Sequence, residues 1–131
     1  MTGPGGLRNE TGSAVVDFVL TSALLVFVFL AVFQLGLALH VRNTIVSCAA
    51  EGARFGARSG STPAQGADRA RDLITRSLSD HFARSVTARV DTTGAGVQVV
   101  VVDVTAPVPI VGPIGPREGF TLSGRAFLED Q

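Results

Sequence analysis

An acidic side chain stands at the start of the longest apolar segment of the sequence. Asp17 immediately precedes the run from Phe18 to Leu39, in which the polar side chains are Thr21, Ser22 and Gln34. An ionised carboxylate costs about 2.5 to 3.5 kcal/mol at the centre of a bilayer and less toward its surface, so such a residue usually has a partner. Asp17 is therefore the first candidate for a functional side chain.

The apolar run is long enough to cross a membrane. A helix rises about 1.5 Å per residue, so this run spans a hydrocarbon core of roughly 30 Å. It is longer than the apolar core of a secretory signal, which has about 7 to 15 residues, and residues 39–43 contain no Ala-x-Ala cleavage site. We therefore predict a single-pass membrane anchor that the mature protein retains.

The composition argues against several chemistries. The single Cys48 cannot form an intramolecular disulfide or a cysteine cluster for a metal, and His40 and His81 belong to no ligand motif. The sequence has no nucleophile elbow and no phosphate-binding loop. Its 11 basic and 11 acidic residues form no basic stripe for nucleic acid. We predict a protein that is not an enzyme and has no metal, cofactor, small-molecule substrate or nucleic-acid partner.

Two helical segments are expected beyond the apolar run. The first continues from Val41 to about Ser59, because alanines alternate with polar residues and no proline interrupts. The second begins with a capping box, in which Thr62 is the N-cap and Gln65 its partner, and runs amphipathically to about residue 82 or 84.

Strand patterns fill the C-terminal part. Alternation over residues 86–90, a glycine turn at 94–96 and the β-branched run 97–104 predict a hairpin whose second strand is central, and residues 120–126 predict a last strand. The proline-rich stretch 106–116 cannot be a regular strand or helix. The predicted fold class is α+β, with a long N-terminal membrane-spanning helix, a second amphipathic helix and a small three-stranded antiparallel sheet.

Small residues recur every four positions on the first helix after the span. Gly52, Gly56 and Gly60 share this spacing, and such faces mediate close helix packing. The face could contact another chain, or it could pack under the protein's own domain. Gly52 and Gly56 are the candidate helix-packing residues in either case.

The residues before the span complete a recognisable junction. Residues 1–11 contain Pro4 and three early glycines and are expected to form no folded element. Gly12, Ser13, Asp17 and Phe18 resemble the junction of prepilins and pseudopilins, where a hydrophilic leader ends in glycine and an acid is the fifth mature residue. The resemblance implies that a prepilin peptidase cuts after Gly12, which leaves an α-amine on Ser13 that can pair with Asp17 of a neighbouring copy.

Further blocks resemble the TadE-like family of tight-adherence pilus systems. They are residues 41–43, 49–54 and 122–129, and the chain departs from the family in carrying Asp17 where glutamate is common. The resemblance implies a minor pseudopilin of a pilus or secretion assembly system with a pilin-like cap. Its partners would be membrane lipid, the prepilin peptidase and other pilin-like subunits. The expected organisation is a leader at 1–12, a transmembrane helix at 13–40 and an extracytoplasmic α+β cap at 41–131.

The charge distribution around the span and the junction motif predict opposite orientations of the chain in the membrane. Arg8 precedes the span, whereas Arg42, Arg54 and Arg58 follow it, so the positive-inside rule alone places the cap in the cytoplasm. The junction implies the reverse, and we expect the cap outside the cytoplasm on that ground.

Other interpretations remain open. Asp17 could be an interfacial acid stabilised by the positive end of the helix dipole. The chain could be an uncleaved, membrane-anchored protein-binding module that uses the proline-rich stretch. It could also be a lipoprotein acylated at Cys48, since residues 45–48 loosely match a lipoprotein cleavage box.

Overall fold

The computed structural model describes residues 6–109 and 119–129, with side chains from residue 10 onward. A long helix, a second helix and a short 3-10 helix precede three strands, and this α+β arrangement confirms the predicted fold class. The elements are α1 (Gly6–Gly56), α2 (Pro63–Ser77), the 3-10 helix Asp80–Ala83, β1 (Ser85–Thr92), β2 (Gln98–Ala106) and β3 (Phe120–Phe127).

Helix α1 begins earlier and ends earlier than expected. It starts at Gly6, so the prediction of no folded element before residue 12 is wrong for residues 6–11. Adding a turn to an existing helix is much easier than nucleating one, and no proline lies between Gly6 and Gly56. At its other end the helix stops at Gly56 instead of continuing to Ser59, and Gly60 in the following turn has a positive φ of 82°.

The chain divides into two compact units, Met1–Gly36 and Leu37–Gln131. By length and composition, the described residues contain one helix able to cross a membrane, within Glu10–Gly56. Its most apolar 18-residue window has a mean hydropathy of 2.6, and none of that window is buried inside the structure. A helix with exposed apolar side chains all round requires lipid or another apolar partner. The helix therefore fits a single-pass membrane anchor.

The second unit has a core between two helical segments and one face of the sheet. The buried residues of α1 recur at helical spacing and face those of α2, and alternate residues of β2 complete the core. The main contributors are Val41, Ile45, Cys48, Ala49 and Ala53 from α1, Ala67, Ala70 and Ile74 from α2, and Val86, Val102, Val104 and Ala106 from the sheet.

Helix α2 starts where the sequence predicts. The Thr62 amide donates to Oε1 of Gln65 (2.9 Å) and the Gln65 amide donates to Oγ1 of Thr62 (3.3 Å), which completes the predicted capping box. The predicted end near residue 82 or 84 is wrong, because Ser79 adopts an extended conformation (φ −167°) after the last helical hydrogen bond, from Leu78 to Ile74. The chain then forms the 3-10 helix, which carries Ala83 into the core.

The sheet has the predicted topology. Its strand order is β1-β2-β3, both pairs are antiparallel, and β2 is central. The hairpin between β1 and β2 closes through a hydrogen bond from the Thr93 amide to the Val97 carbonyl (2.9 Å), with Gly96 at a positive φ of 78°.

The sheet face opposite the core carries a charged row. Val101 is fully buried on this face, between its cross-strand neighbours Arg89 and Arg125. Arginine stems can cover apolar surface while the guanidinium groups stay in water. Asp103, on the same face, accepts hydrogen bonds from Arg89 and from the Ser123 hydroxyl.

Glycines permit the closest contacts between elements. A Cβ on Gly52 would lie 2.6 Å from the Gly66 carbonyl oxygen and 2.7 Å from the Ala70 Cβ, so α1 and α2 nearly touch through their backbones. A Cβ on Gly124 would overlap the backbone of Ala49 and Ala50, so β3 lies directly on α1. These contacts fix the positions of α2 and β3 against α1.

Cys48 belongs to the core of the second unit. The residue is 7% exposed, and burial raises the pKa of its thiol above the usual value, an effect that a hydrogen bond with Ser77 partly opposes. A thiol in this position has a low thiolate fraction at neutral pH and little access to reagents.

We predict that Gly124→Ala destabilises the second unit by about 2 to 3 kcal/mol, because the added methyl group overlaps helix backbone that cannot move aside easily. Thermal unfolding of the full chain in detergent micelles measures the change. Gly94→Ala is the matched control, because a Cβ there meets nothing within 4 Å, and its effect should stay within about 0.5 kcal/mol. Equal shifts for both variants would contradict the packing analysis.

We also predict that iodoacetamide labels Cys48 slowly in the folded protein and rapidly in denaturant. Because its pKa is raised, labelling of the folded protein should accelerate only at a higher pH than for an ordinary thiol. Mass spectrometry against time and pH gives the rates. The variant Ser47→Cys/Cys48→Ala moves the thiol to an exposed neighbouring position and should react quickly without denaturant. If Cys48 were labelled as fast in the native protein as in denaturant, the buried position would be contradicted.

Candidate functional site

The residues of the predicted junction all lie on α1 and all are exposed. Gly12 and Ser13 precede Asp17 by about one turn, and Phe18 is 72% exposed. Ser13 and Asp17 are four residues apart and therefore share a helix face. The structure thus places the junction residues along the same two turns of one helix, as their spacing requires.

Asp17 makes no hydrogen bond or ion pair with the rest of the described chain. Its carboxylate stands directly before the exposed apolar residues Phe18 and Val19. Near a membrane such a group is stabilised by a cation or a hydrogen-bond donor, because water becomes scarce there. The described part of the chain thus offers Asp17 no opposite charge.

The helix dipole does not account for Asp17 in this chain. The dipole interacts with charges in the first turn of a helix and falls off quickly beyond it. Helix α1 already begins at Gly6, about three turns before Asp17. The interpretation of Asp17 as a residue stabilised by the dipole at the start of the span is therefore wrong for the helix as it stands.

The backbone at Gly12 is sterically open. A Cβ built on this residue meets no atom within 4 Å. Its peptide groups lie inside the helix, so an enzyme that cuts there must first unwind one turn. Glycine is about 1 kcal/mol less favourable than alanine within a helix, which makes this turn easier to open.

The structure places Gly52 and Gly56 against α2 of the same chain. Gly56 faces the backbone of Thr62 and Gly66, and Gly52 faces Gly66 and Ala70. Of the two interpretations of this small-residue face, the described structure therefore has the intramolecular one.

Gly66 and Gly124 are the packing partners that sequence reasoning missed. An isolated glycine inside a strand pattern indicates a close backbone approach, and Gly124 within β3 is such a signal. Gly66 lies in the first turns of α2, where it could have been matched with Gly52 and Gly56 as the small face of a helix pair.

The other predicted sites have less structural support. The proline-rich stretch 106–116 falls mostly outside the described residues, which stop at Pro109 and resume at Gly119. Cys48 faces the core, so the structure adds no support for an acyl anchor at this residue. Within residues 6–109 and 119–129, no group of three histidine, cysteine or acidic side chains is arranged to hold a metal ion.

The chain matches one family of known proteins. The family described as TadE-like protein matches residues 12–54, that is, 43 of the 131 residues. No curated protein and no solved structure gives a significant match. The matched segment contains the junction, the apolar run and the part of α1 that enters the core. The resemblance read from the junction is thereby confirmed: residues 12–54 form a TadE-like segment, which indicates a pilus-associated protein.

Proposed function

We propose that this chain is a minor pseudopilin of a TadE-like pilus or secretion assembly system. Its leader is removed after Gly12 by a prepilin peptidase, and its membrane helix then packs against other pilin-like subunits. The observation that carries the proposal is the exposed carboxylate of Asp17, which has no partner in the described chain and lies at the fifth position after Gly12 within the TadE-like segment.

Removal of the leader would supply the missing partner. Cutting after Gly12 moves the start of the helix to Ser13 and gives that residue a positively charged α-amine. Two opposite charges about 4 Å apart attract by roughly 4 kcal/mol at an effective dielectric constant near 20. This attraction is similar to the cost of about 2.5 to 3.5 kcal/mol for placing the carboxylate deep in the membrane. The ion pair can therefore decide whether Asp17 is tolerated at the membrane boundary.

An amine from a neighbouring subunit gives this pairing its role in assembly. When Asp17 of one subunit meets the amine of Ser13 in the next, the pair fixes the axial offset between two helices. The ion pair sets the register, and the apolar surface supplies most of the contact area.

Contacts between subunits are expected on the apolar part of the helix. Gly52 and Gly56, the other candidates for close helix packing, are already covered by α2. Most residues between Phe18 and Leu39 remain exposed, with Phe27 at 71% and Phe29 at 66%. We therefore assign the contacts with lipid and with other subunits to the apolar run. The cap is the folded domain outside the cytoplasm.

The processing step has a direct test. The protein is extracted from membranes that contain the prepilin peptidase, and its intact mass is measured. We expect an N-terminus at Ser13. Gly12→Leu should block cleavage without disturbing the helix, because the space around Gly12 is empty. Gly36→Ala, at an equally open glycine of α1, is the matched control and should be cut normally. An N-terminus at Met1 or Thr2 in these membranes would reject cleavage and favour an uncleaved anchored module.

The role of Asp17 has a second test. Asp17→Asn removes the charge with almost no change in shape and should reduce crosslinked subunit assemblies at least tenfold, which corresponds to about 1.4 kcal/mol. Quantitative crosslinking in membranes measures the effect. The control Glu10→Gln removes another exposed acid of α1 that lies within the leader, and assembly should be unchanged. Unchanged assembly in Asp17→Asn would reject the ion pair even if cleavage at Gly12 occurs.

A further inference from the structure

A cleft lined by arginines lies where α1 ends beside the last strand. Its volume is about 480 Å³, and its polar lining comes from Arg54 and Arg58 on or just after α1, Arg125 on β3, and Glu129. We call this the arginine cleft. Residues from distant parts of the sequence meet here because Gly124 brings β3 directly onto α1.

The chain neutralises these arginines only in part. Arg54 lies 3.4 Å from Glu51, but both side chains are exposed (63% and 40%), so the pair is weak. Arg58 lies over the ring of Phe55 at 5.6 Å, a contact that leaves its positive charge uncompensated. Arg125 forms no ion pair with any described residue.

The nearby acids are already engaged. Asp103, on the same sheet face as Arg125, binds Arg89 and Ser123. Glu129 is held against the wall of the cleft, because its carboxylate accepts a hydrogen bond from the Ser59 amide (3.3 Å) and its own amide donates to the Ala57 carbonyl (3.0 Å). Three arginines thus line the cleft beside one fixed carboxylate, which leaves an excess of positive charge among the lining residues.

Helix stability explains only part of this arrangement. Arginines near the C-terminus of a helix interact favourably with its dipole, which accounts for Arg54 and in part for Arg58. Arg125 lies on a strand, so the dipole gives no reason for its presence. The three arginines line one cleft only in the folded chain, and such a grouping of cationic residues suits a binding site for an anionic group.

An exposed aromatic ring borders the same cleft. Phe127 is 71% exposed, and it also lines a smaller cleft of about 160 Å³ together with Val99, Thr93 and Arg125. Phenylalanine and arginine are both enriched at protein interfaces relative to the rest of the protein surface. A charged cleft and an apolar cleft therefore adjoin along the end of β3.

We propose that the arginine cleft binds an acidic segment of a protein partner. Carboxylates of the segment contact Arg58 and Arg125 in the bidentate geometry that arginine favours, and an apolar side chain of the segment packs beside Phe127. A protein segment suits the site better than nucleic acid, because the whole chain has no net charge and the arginines form a compact group instead of a stripe. This inference does not depend on removal of the leader.

Peptide binding to the full chain in neutral detergent micelles tests the proposal. The probes are a fluorescein-labelled peptide of sequence Gly-Glu-Glu-Phe-Glu-Glu and the same peptide with glutamine for every glutamate. At low ionic strength we expect the acidic peptide to bind at least tenfold more tightly, with affinity falling as salt rises toward physiological concentration. Equal binding of the two peptides to the unmodified protein would overturn the proposal without any variant.

Variants then locate the site. Arg58→Gln/Arg125→Gln should weaken binding of the acidic peptide at least tenfold, and Phe127→Ala should also weaken it, because the peptide presents a phenylalanine to this ring. Arg84→Gln is the matched control, because Arg84 is exposed and lies outside the cleft, and it should leave binding unchanged. An equal loss in Arg84→Gln, or tighter binding of a short DNA duplex than of the acidic peptide, would overturn the proposal.

Discussion

The second unit depends on backbones that approach one another more closely than side chains allow. Gly52 meets Gly66 where α1 and α2 pack, and Gly124 meets Ala49 and Ala50 where β3 lies on α1. At each contact two backbones pack directly against each other without an intervening side chain. The close approach excludes water and adds dispersion contacts between backbone atoms. The small residues are therefore the constraint from which the core geometry follows, even though they contribute little apolar area themselves.

Two parts of helix α1 have different surroundings. From Phe18 to Leu39 the side chains of α1 are mostly apolar and exposed, as membrane lipid or a neighbouring helix requires. From Val41 onward one face of the same helix is buried by the protein itself and the opposite face carries polar groups such as Asn43 and Arg54. The TadE-like match covers both regions, so it contains the anchor as well as the part of the helix on which the folded unit is built.

The sequence predicts what local rules determine. The capping box at Thr62, the turn at Gly96 and the central position of β2 follow from short patterns, and each is confirmed. The end of α2 could not be predicted, because the amphipathic pattern continues past Ser77 while the chain must turn to bring Ala83 into the core. The start of α1 was also not predicted. Glycines disfavour a new helix, but an existing helix can still extend through the segment before residue 12.

The two candidate sites also differ in whether local sequence patterns determine them. The junction residues form one short local segment, so their shared placement on a helix follows from spacing alone. The arginine cleft joins residues of α1 and β3, and no pattern within either segment indicates that Arg58 and Arg125 converge. Recognising it from sequence would require knowledge of which turn of α1 Gly124 of β3 contacts.

Glu129 and Ser59, which are in contact, are 70 positions apart in the sequence. The contact of Gly124 with α1 has a similarly large sequence separation. Such long loops close slowly, and β3 is synthesised after both helices, so the core is completed only once β3 has been made. The apolar face of α1 around Ile45 and Ala53 is therefore covered only in part until β3 packs. A chain truncated within β3 should consequently expose apolar core surface and be prone to aggregate.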